Sequence, residues 1–149
     1  MRLTMMSDYA LRVLLYAAAH PDRLVTIDET QEFYGMSRGH LMKIVGVLAG
    51  AGILRSRRGR AGGFTLGRAP EEIALGEVIR LTEPDFEMVE CFGPASACAI
   101  TGICRLPGIV NEALDAFMAV MDSHSLADML PGAPDFAAIA PATRKRPMP

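Results

Sequence analysis

No run of apolar residues in this chain approaches the roughly 18 needed to span a bilayer, although half of its 149 residues are hydrophobic. The N-terminal stretch MRLTMMSDYALRV also lacks the basic region, apolar core and cleavage site of a secretory signal. The expected location is therefore the cytoplasm, with no membrane partner. Cysteine is scarce and odd in number: three residues, at 91, 98 and 104. In a reducing compartment that disfavours a disulfide-stapled fold and moves metal or redox chemistry forward. Also missing are a nucleophile beside a base, a phosphate-binding loop and a spaced pair of carboxylates, so no enzyme is expected.

The charge is unevenly spread. The net −2 conceals a first half, residues 1–70, with ten Lys/Arg against five Asp/Glu, and a second half with five against twelve. One end suits a polyanion and the other does not.

Along the chain, Leu11, Leu14, Leu15 and Ala18 form the apolar stripe of a helix from Ser7 to His20, ended by Pro21 and Asp22. Thr26 followed by Glu29 predicts a capping box opening a second helix that runs to about Tyr34. Gly35 can take a left-handed turn, Met36 offers an apolar plug, and Ser37 is a good cap for a third helix. In that third helix Leu41, Ile44, Val45 and Leu48 make the buried stripe, and Gly50 and Gly52 stop it. Two β-like runs, 53–56 and 64–66, flank the basic, glycine-rich spacer 57–63, which reads as a hairpin wing. A fourth helix is expected after Pro70, with Ile73, Val78, Ile79 and Leu81 as its apolar positions, ending before Pro84. Residues 85–104 show no period and read as a loop. Val110, Ala113, Leu114, Phe117 and Met121 then predict a long helix with an exposed apolar edge, suited to pairing with a second copy. A short helix from Ser125 to Leu130 follows.

The expected fold is mainly α with a small β-hairpin. A winged helix-turn-helix DNA-binding domain occupies residues 1–83, a cluster-binding loop 84–105, and a dimerisation helix region 106–130. The tail 131–149 holds half of the ten prolines and ends in a basic triplet, and is expected to be disordered.

A helix-turn-helix places the start of its second helix in the major groove of DNA. Ser37, Arg38, His40 and Lys43 lie there, and Arg57, Arg58 and Arg60 lie on a hairpin thin enough to enter a minor groove, whose negative potential favours arginine. Any one of these side chains alone would read as an ordinary solvated residue; their coincidence points to operator DNA.

The cysteines follow the pattern Cys91-x6-Cys98-x5-Cys104. Thiolates are soft ligands for iron-sulfur clusters or zinc, and three from one loop leave one coordination position for another group. Tight C-x2-C pairs are missing, so the spacing is not a standard zinc signature. An Fe-S cluster, zinc and incidental thiols all stand open on spacing alone.

The run Phe33 to Val45, the wing Arg57 to Gly63 and the segment from Val89-Glu-Cys-Phe92 through Ile103-Cys-Arg-Leu106 closely resemble the NsrR branch of the winged-helix regulators that also include IscR. The resemblance covers roughly residues 1–130. It implies a homodimeric, iron-sulfur-dependent repressor that grips inverted-repeat operator DNA and is released by nitric oxide. It further implies one cluster per subunit, a 4Fe-4S cluster on Cys91, Cys98 and Cys104, with the fourth position filled by an aspartate of the partner subunit, matched here by Asp8. Without the resemblance, Asp8 reads as an acidic residue stabilising the start of a helix. Members like IscR carry a histidine ligand three residues after the third cysteine, where this chain has Pro107; that departure argues against the IscR branch. The nearest rival is an iron-responsive Fe-S repressor. A small electron-transfer or cluster-delivery protein would leave the helix-turn-helix and wing without a purpose.

Overall fold

The computed structural model describes residues 2–59, 61–93, 96–100 and 102–131. Three helices, α1 (Met5–Ala18), α2 (Ile27–Tyr34) and α3 (Arg38–Gly50), are followed by a hairpin of β1 (Leu54–Arg57) and β2 (Gly63–Leu66), then α4 (Leu75–Thr82) and the long α5 (Leu106–Asp122). The mainly helical fold with one small hairpin is the one expected. Residues 132–149, with the basic triplet Arg144-Lys-Arg146, and the wing's Arg60 lie outside the described residues.

α1 begins two residues earlier than its sequence stripe suggests, because Thr4 caps it by accepting from the Ser7 N–H. The cap is held from far away in sequence. The Glu83 carboxylate accepts from the Thr4 N–H at 2.8 Å, from the Thr4 hydroxyl at 3.1 Å and from the Ser7 hydroxyl. Ser7, fully buried, also lies 2.7 Å from the Thr82 hydroxyl. The start of α1 is thus fastened to the end of α4.

In α2 only half of the expected capping box forms. Thr26 accepts from the Glu29 N–H at 3.2 Å, but the Glu29 carboxylate is taken by Arg23 at 2.7 Å. Gly35 then turns at φ +70°, its N–H satisfying the Gln31 carbonyl at 2.8 Å, and Met36 is 3% exposed. Only glycine takes that φ without strain. Ser37 caps α3 by accepting from the His40 N–H at 3.3 Å. Leu41, Ile44, Val45 and Leu48 are all buried, in one cluster with Ala10, Val13, Leu14 and Ala17 of α1.

The hairpin pairs Leu54 with Leu66, Arg55 with Thr65, Ser56 with Phe64 and Arg57 with Gly63. β2 also bridges the segment before α2, with Val25 and Phe64 exchanging N–H to O bonds of 2.9 and 2.8 Å. Two wing glycines answer to these internal contacts: a Cβ at Gly62 would collide with the Arg57 carbonyl oxygen, and one at Gly63 with that of Val25.

α4 starts at Leu75, later than expected, because Pro70–Glu72 closes a separate 3-10 turn. Leu81, expected among its inward positions, is 37% exposed. Beyond α5 the chain returns to α4. The Leu75 N–H reaches the His124 carbonyl, the Leu126 N–H reaches that of Ile73, and Leu126 is fully buried. The short helix expected after Ser125 is a 3-10 turn, Leu126–Met129. Arg80 and Asp122 make a two-pronged ion pair at 2.6 Å. A Cβ at Gly76 would meet the Asp122 carboxylate, so a side chain there would have to displace one arm of this ion pair.

The apolar arc of α5 is wider than this chain covers. Leu114, Phe117 and Met121 face Leu3, Phe86 and Met88 across a cleft of about 460 Å³, and Met118 is buried. A second strip stays in water: Leu106 at 48%, Ile109 at 63% and Val120 at 56% exposed, with exposed Ala113 and Ala116 between them. Three residues of the seam expected from sequence thus line an open cleft and are half-buried, and a more exposed strip lies beside them, at intervals of three and four residues.

Tyr34 packs against Tyr16 and Phe33, with ring centroids 6.0 and 4.8 Å away. Burial pushes its phenol up to about 12 from an ordinary 10, and burial raises Tyr16 as well. The folded chain thus favours the neutral phenols, so stability intact below pH 10 falls as the pH climbs toward 12. Replacing Tyr34 with Phe should remove on the order of 2 kcal/mol of that alkaline loss, read from urea unfolding at pH 9, 10, 11 and 12.

Candidate nucleic-acid interface and cysteine loop

The buried stripe fixes which side of α3 looks outward. Ser37, Arg38, Gly39, His40, Met42, Lys43, Gly46 and Gly50 are all exposed, the face left over once four apolar positions turn toward α1. Arg38 pairs with Asp28 at the start of α2, a contact open to water on both sides. His40 sets its ring edge-on to Tyr9 of α1, 6.3 Å between centroids. Lys43 projects without an ion-pair partner among the described residues.

On the wing, Arg57 and Arg58 are exposed, and the turn between the strands is built on Gly59 at φ +111°. The register adds a residue that the sequence reading passed over. Leu54 is 2% exposed while Arg55 beside it is exposed, so Arg55 and Arg57 stand on the same, outer face of β1. The alternation of Leu54 and Arg55 was the available signal. Among the described residues no carboxylate pairs with Arg55, Arg57 or Arg58. Recognition helix and wing together therefore present a cationic surface, closed on one side by Asp28.

The three cysteines hang on the connection from α4 to α5. Cys91 sits in the turn Glu90–Phe92 and is half-buried, Cys98 is exposed, and Cys104 is half-buried; none forms a disulfide. The Cys104 N–H bonds to the Ile100 carbonyl at 2.9 Å, and its sulfur accepts the Leu106 N–H at 3.4 Å, at the first turn of α5. Pro107 occupies that same turn, where a missing N–H costs nothing and the fixed φ suits the helix.

Asp8 lies in the first turn of α1, and both of its carboxylate oxygens are engaged by Arg12, Oδ2 at 2.7 Å and Oδ1 at 3.0 Å. The Arg12 guanidinium also sits 5.8 Å from the Tyr9 ring centroid. Among the described residues no three His, Cys, Asp or Glu side chains come together as a metal site. The donor set nevertheless fits an iron-sulfur cluster in kind: three thiols on one loop, all reachable from solvent, one already accepting an amide N–H as cluster sulfurs do.

A family model described as "Rrf2: Iron-dependent Transcriptional regulator" matches residues 3–132. The chain belongs to the Rrf2 family. It is a transcriptional regulator and not an enzyme. A Bacillus subtilis protein named HTH-type transcriptional regulator NsrR is 45% identical over 132 residues, spanning 87% of this chain and 90% of that one. The solved structure titled T. potens IscR superposes with a TM-score of 0.71 at 25% identity, over 94% of this chain and 93% of the other. The oxidized form of Staphylococcus aureus CymR gives 0.66 at 28% identity, over 85% and 93%. These Rrf2 likenesses agree with the resemblance found in the sequence. No helix among the described residues is long and apolar enough to cross a membrane.

Proposed function

We propose that this Rrf2 regulator is a homodimeric repressor that binds inverted-repeat operator DNA while an iron-sulfur cluster is in place, and that nitric oxide releases it. The observation that carries the proposal is the position of the cysteines. They lie on the one segment joining α4, which is bonded to α1 through Glu83, to α5, which carries the free apolar strip.

Cys91, Cys98 and Cys104 would hold the cluster, a 4Fe-4S centre, and the partner subunit's Asp8 would complete it. When bound, the cluster supplies iron that reacts with nitric oxide. Asp8 suits a releasable position, since a carboxylate oxygen is a harder and weaker partner for such iron than a thiolate. Arg12 waits beside it as an alternative partner for the carboxylate.

The strip Leu106, Ile109, Ala113, Ala116 and Val120 follows the 3-4 spacing that keeps a seam facing a second helix. Pairing two copies there sets two α3 helices across a two-fold axis, so that half-sites about 34 Å apart can be read together. In each half-site Ser37, Arg38, His40 and Lys43 face the major groove, while Arg57, Arg58 and Arg60, joined by Arg55, contact phosphate and the minor groove. Closing the cysteine loop at the first turn of α5 would fix that helix relative to the DNA-binding unit.

An iron-responsive repressor is the second reading, favoured by the iron dependence in the family's description. Anaerobic operator binding separates the two. Nitric oxide should abolish sequence-specific binding within minutes, at concentrations stoichiometric with the cluster, under conditions where an iron chelator leaves binding intact. Release by chelator alone would favour iron sensing. Replacing Arg55, Arg57 and Arg58 together with alanine should weaken binding to all sequences and lower the slope of log K against log salt by about 2 to 3; a parental slope would remove the wing from the interface. Placing Asp at Ile109 should turn the dimer into monomers in sedimentation and cost at least about tenfold in operator affinity, whereas Asp115→Asn, off the strip, should leave both unchanged.

A further inference from the structure

The helix-turn-helix and wing leave one large apolar side chain in water. Among the described residues between 20 and 70, Met42 alone of the large hydrophobics is exposed, at 58%. It follows Leu41, which is fully buried, yet it contributes nothing to the core stripe on α3. Arg38 stands one helical turn before it on the same side, and Lys43 follows it. At Gly39 and Gly46, three residues before and four after, even a Cβ would meet nothing within 4 Å. Met42 therefore rises from a bare stretch of helix surface with cations around it.

That setting selects the occupant. A single side chain is far too small to be a protein-docking patch, which needs roughly 800 Å² on each partner. Arg38 and Lys43 beside it on α3, with Arg55, Arg57 and Arg58 exposed on the wing, favour a polyanion. The apolar feature on the floor of a DNA major groove is the 5-methyl group of thymine, and a flexible thioether adapts readily to such a contact. We infer that Met42 reads a thymine methyl in each half-site and is a specificity-determining residue of the recognition helix. The inference rests on the DNA-binding reading of α3 given above, and it adds a base that the charged residues alone do not select.

The test uses the full chain, purified anaerobically, to select its preferred duplex from a randomised pool. Thymines in that duplex are then replaced by uracil, one symmetric pair at a time, which removes only the methyl groups. One pair should be found at which uracil weakens binding on the order of tenfold, two lost methyl contacts together. Met42→Ala should bind the thymine and uracil duplexes alike, and Met42→Leu should restore part of the difference. Because Met42 is exposed, both variants should keep the parental melting temperature. Parental affinity for every uracil duplex would overturn the inference, as would a full uracil penalty in Met42→Ala. Failure of the parent to select any sequence would instead overturn the DNA-binding reading, and it would be seen before any uracil is introduced.

Discussion

The packing of Leu41, Ile44, Val45 and Leu48 against α1 decides the orientation of everything that faces outward on α3. Once those four side chains turn inward, Met42 and Lys43 face solvent, and Arg38, also exposed, meets Asp28 at the start of α2. A one-residue slip would rotate the helix by about 100° and bury charge. The local turn chemistry serves this same constraint: Gly35 reverses the chain, Met36 plugs the turn and Ser37 starts the helix. The wing is anchored to the same body, since Phe64 is buried and its backbone is bonded to Val25. Recognition helix and wing are therefore held as one rigid surface by apolar burial, and their charges do not have to contribute to folding.

A second layer of contacts ties this surface to the rest of the chain. Glu83 closes the start of α1, and Arg80 with Asp122 clamps α4 to the end of α5. The Arg80 guanidinium holds the Asp122 carboxyl below its usual range, so the clamp stays charged further into acid than a free carboxylate would. Between these two fastenings runs the cysteine loop, with its last thiol at the first turn of α5. Any change in how the loop is folded acts on α5 at one end while its other end stays fixed. In the proposed mechanism, that is how a chemical event at sulfur becomes a change in the spacing of two recognition helices.

Much of this was legible in the sequence where the determining interactions are local. Thr26, Gly35, Met36 and Ser37 announced the helix-turn-helix within a dozen residues, and the buried stripe of α3 followed its period. The basic hairpin was equally plain. What the sequence concealed depends on distant partners. The start of α1 is set by Glu83, 79 residues away. The partner of Glu29 turned out to be Arg23, a competitor that a capping pattern does not register. The free edge of α5 could not be read from its own periodicity, because its apolar residues cover a wide arc. Which part of that arc is partly covered depends on where Leu3, Phe86 and Met88 come to lie. Of the candidate site, Arg38 and Lys43 are exposed on α3 and Arg57 and Arg58 on the wing, where Arg55 joins them, while Arg60 lies outside the described residues. The cysteines share a loop as expected, while Asp8 is occupied by Arg12 within its own chain, so its role toward a partner depends on assembly.

The most direct test of the central claim is operator affinity measured anaerobically on one preparation before and after its iron and sulfide are removed and quantified. Cluster-loaded protein should bind the operator tightly, and the stripped protein should retain only salt-sensitive binding to any sequence. A colourless protein, free of iron and sulfide, that bound its operator with undiminished affinity would contradict the account.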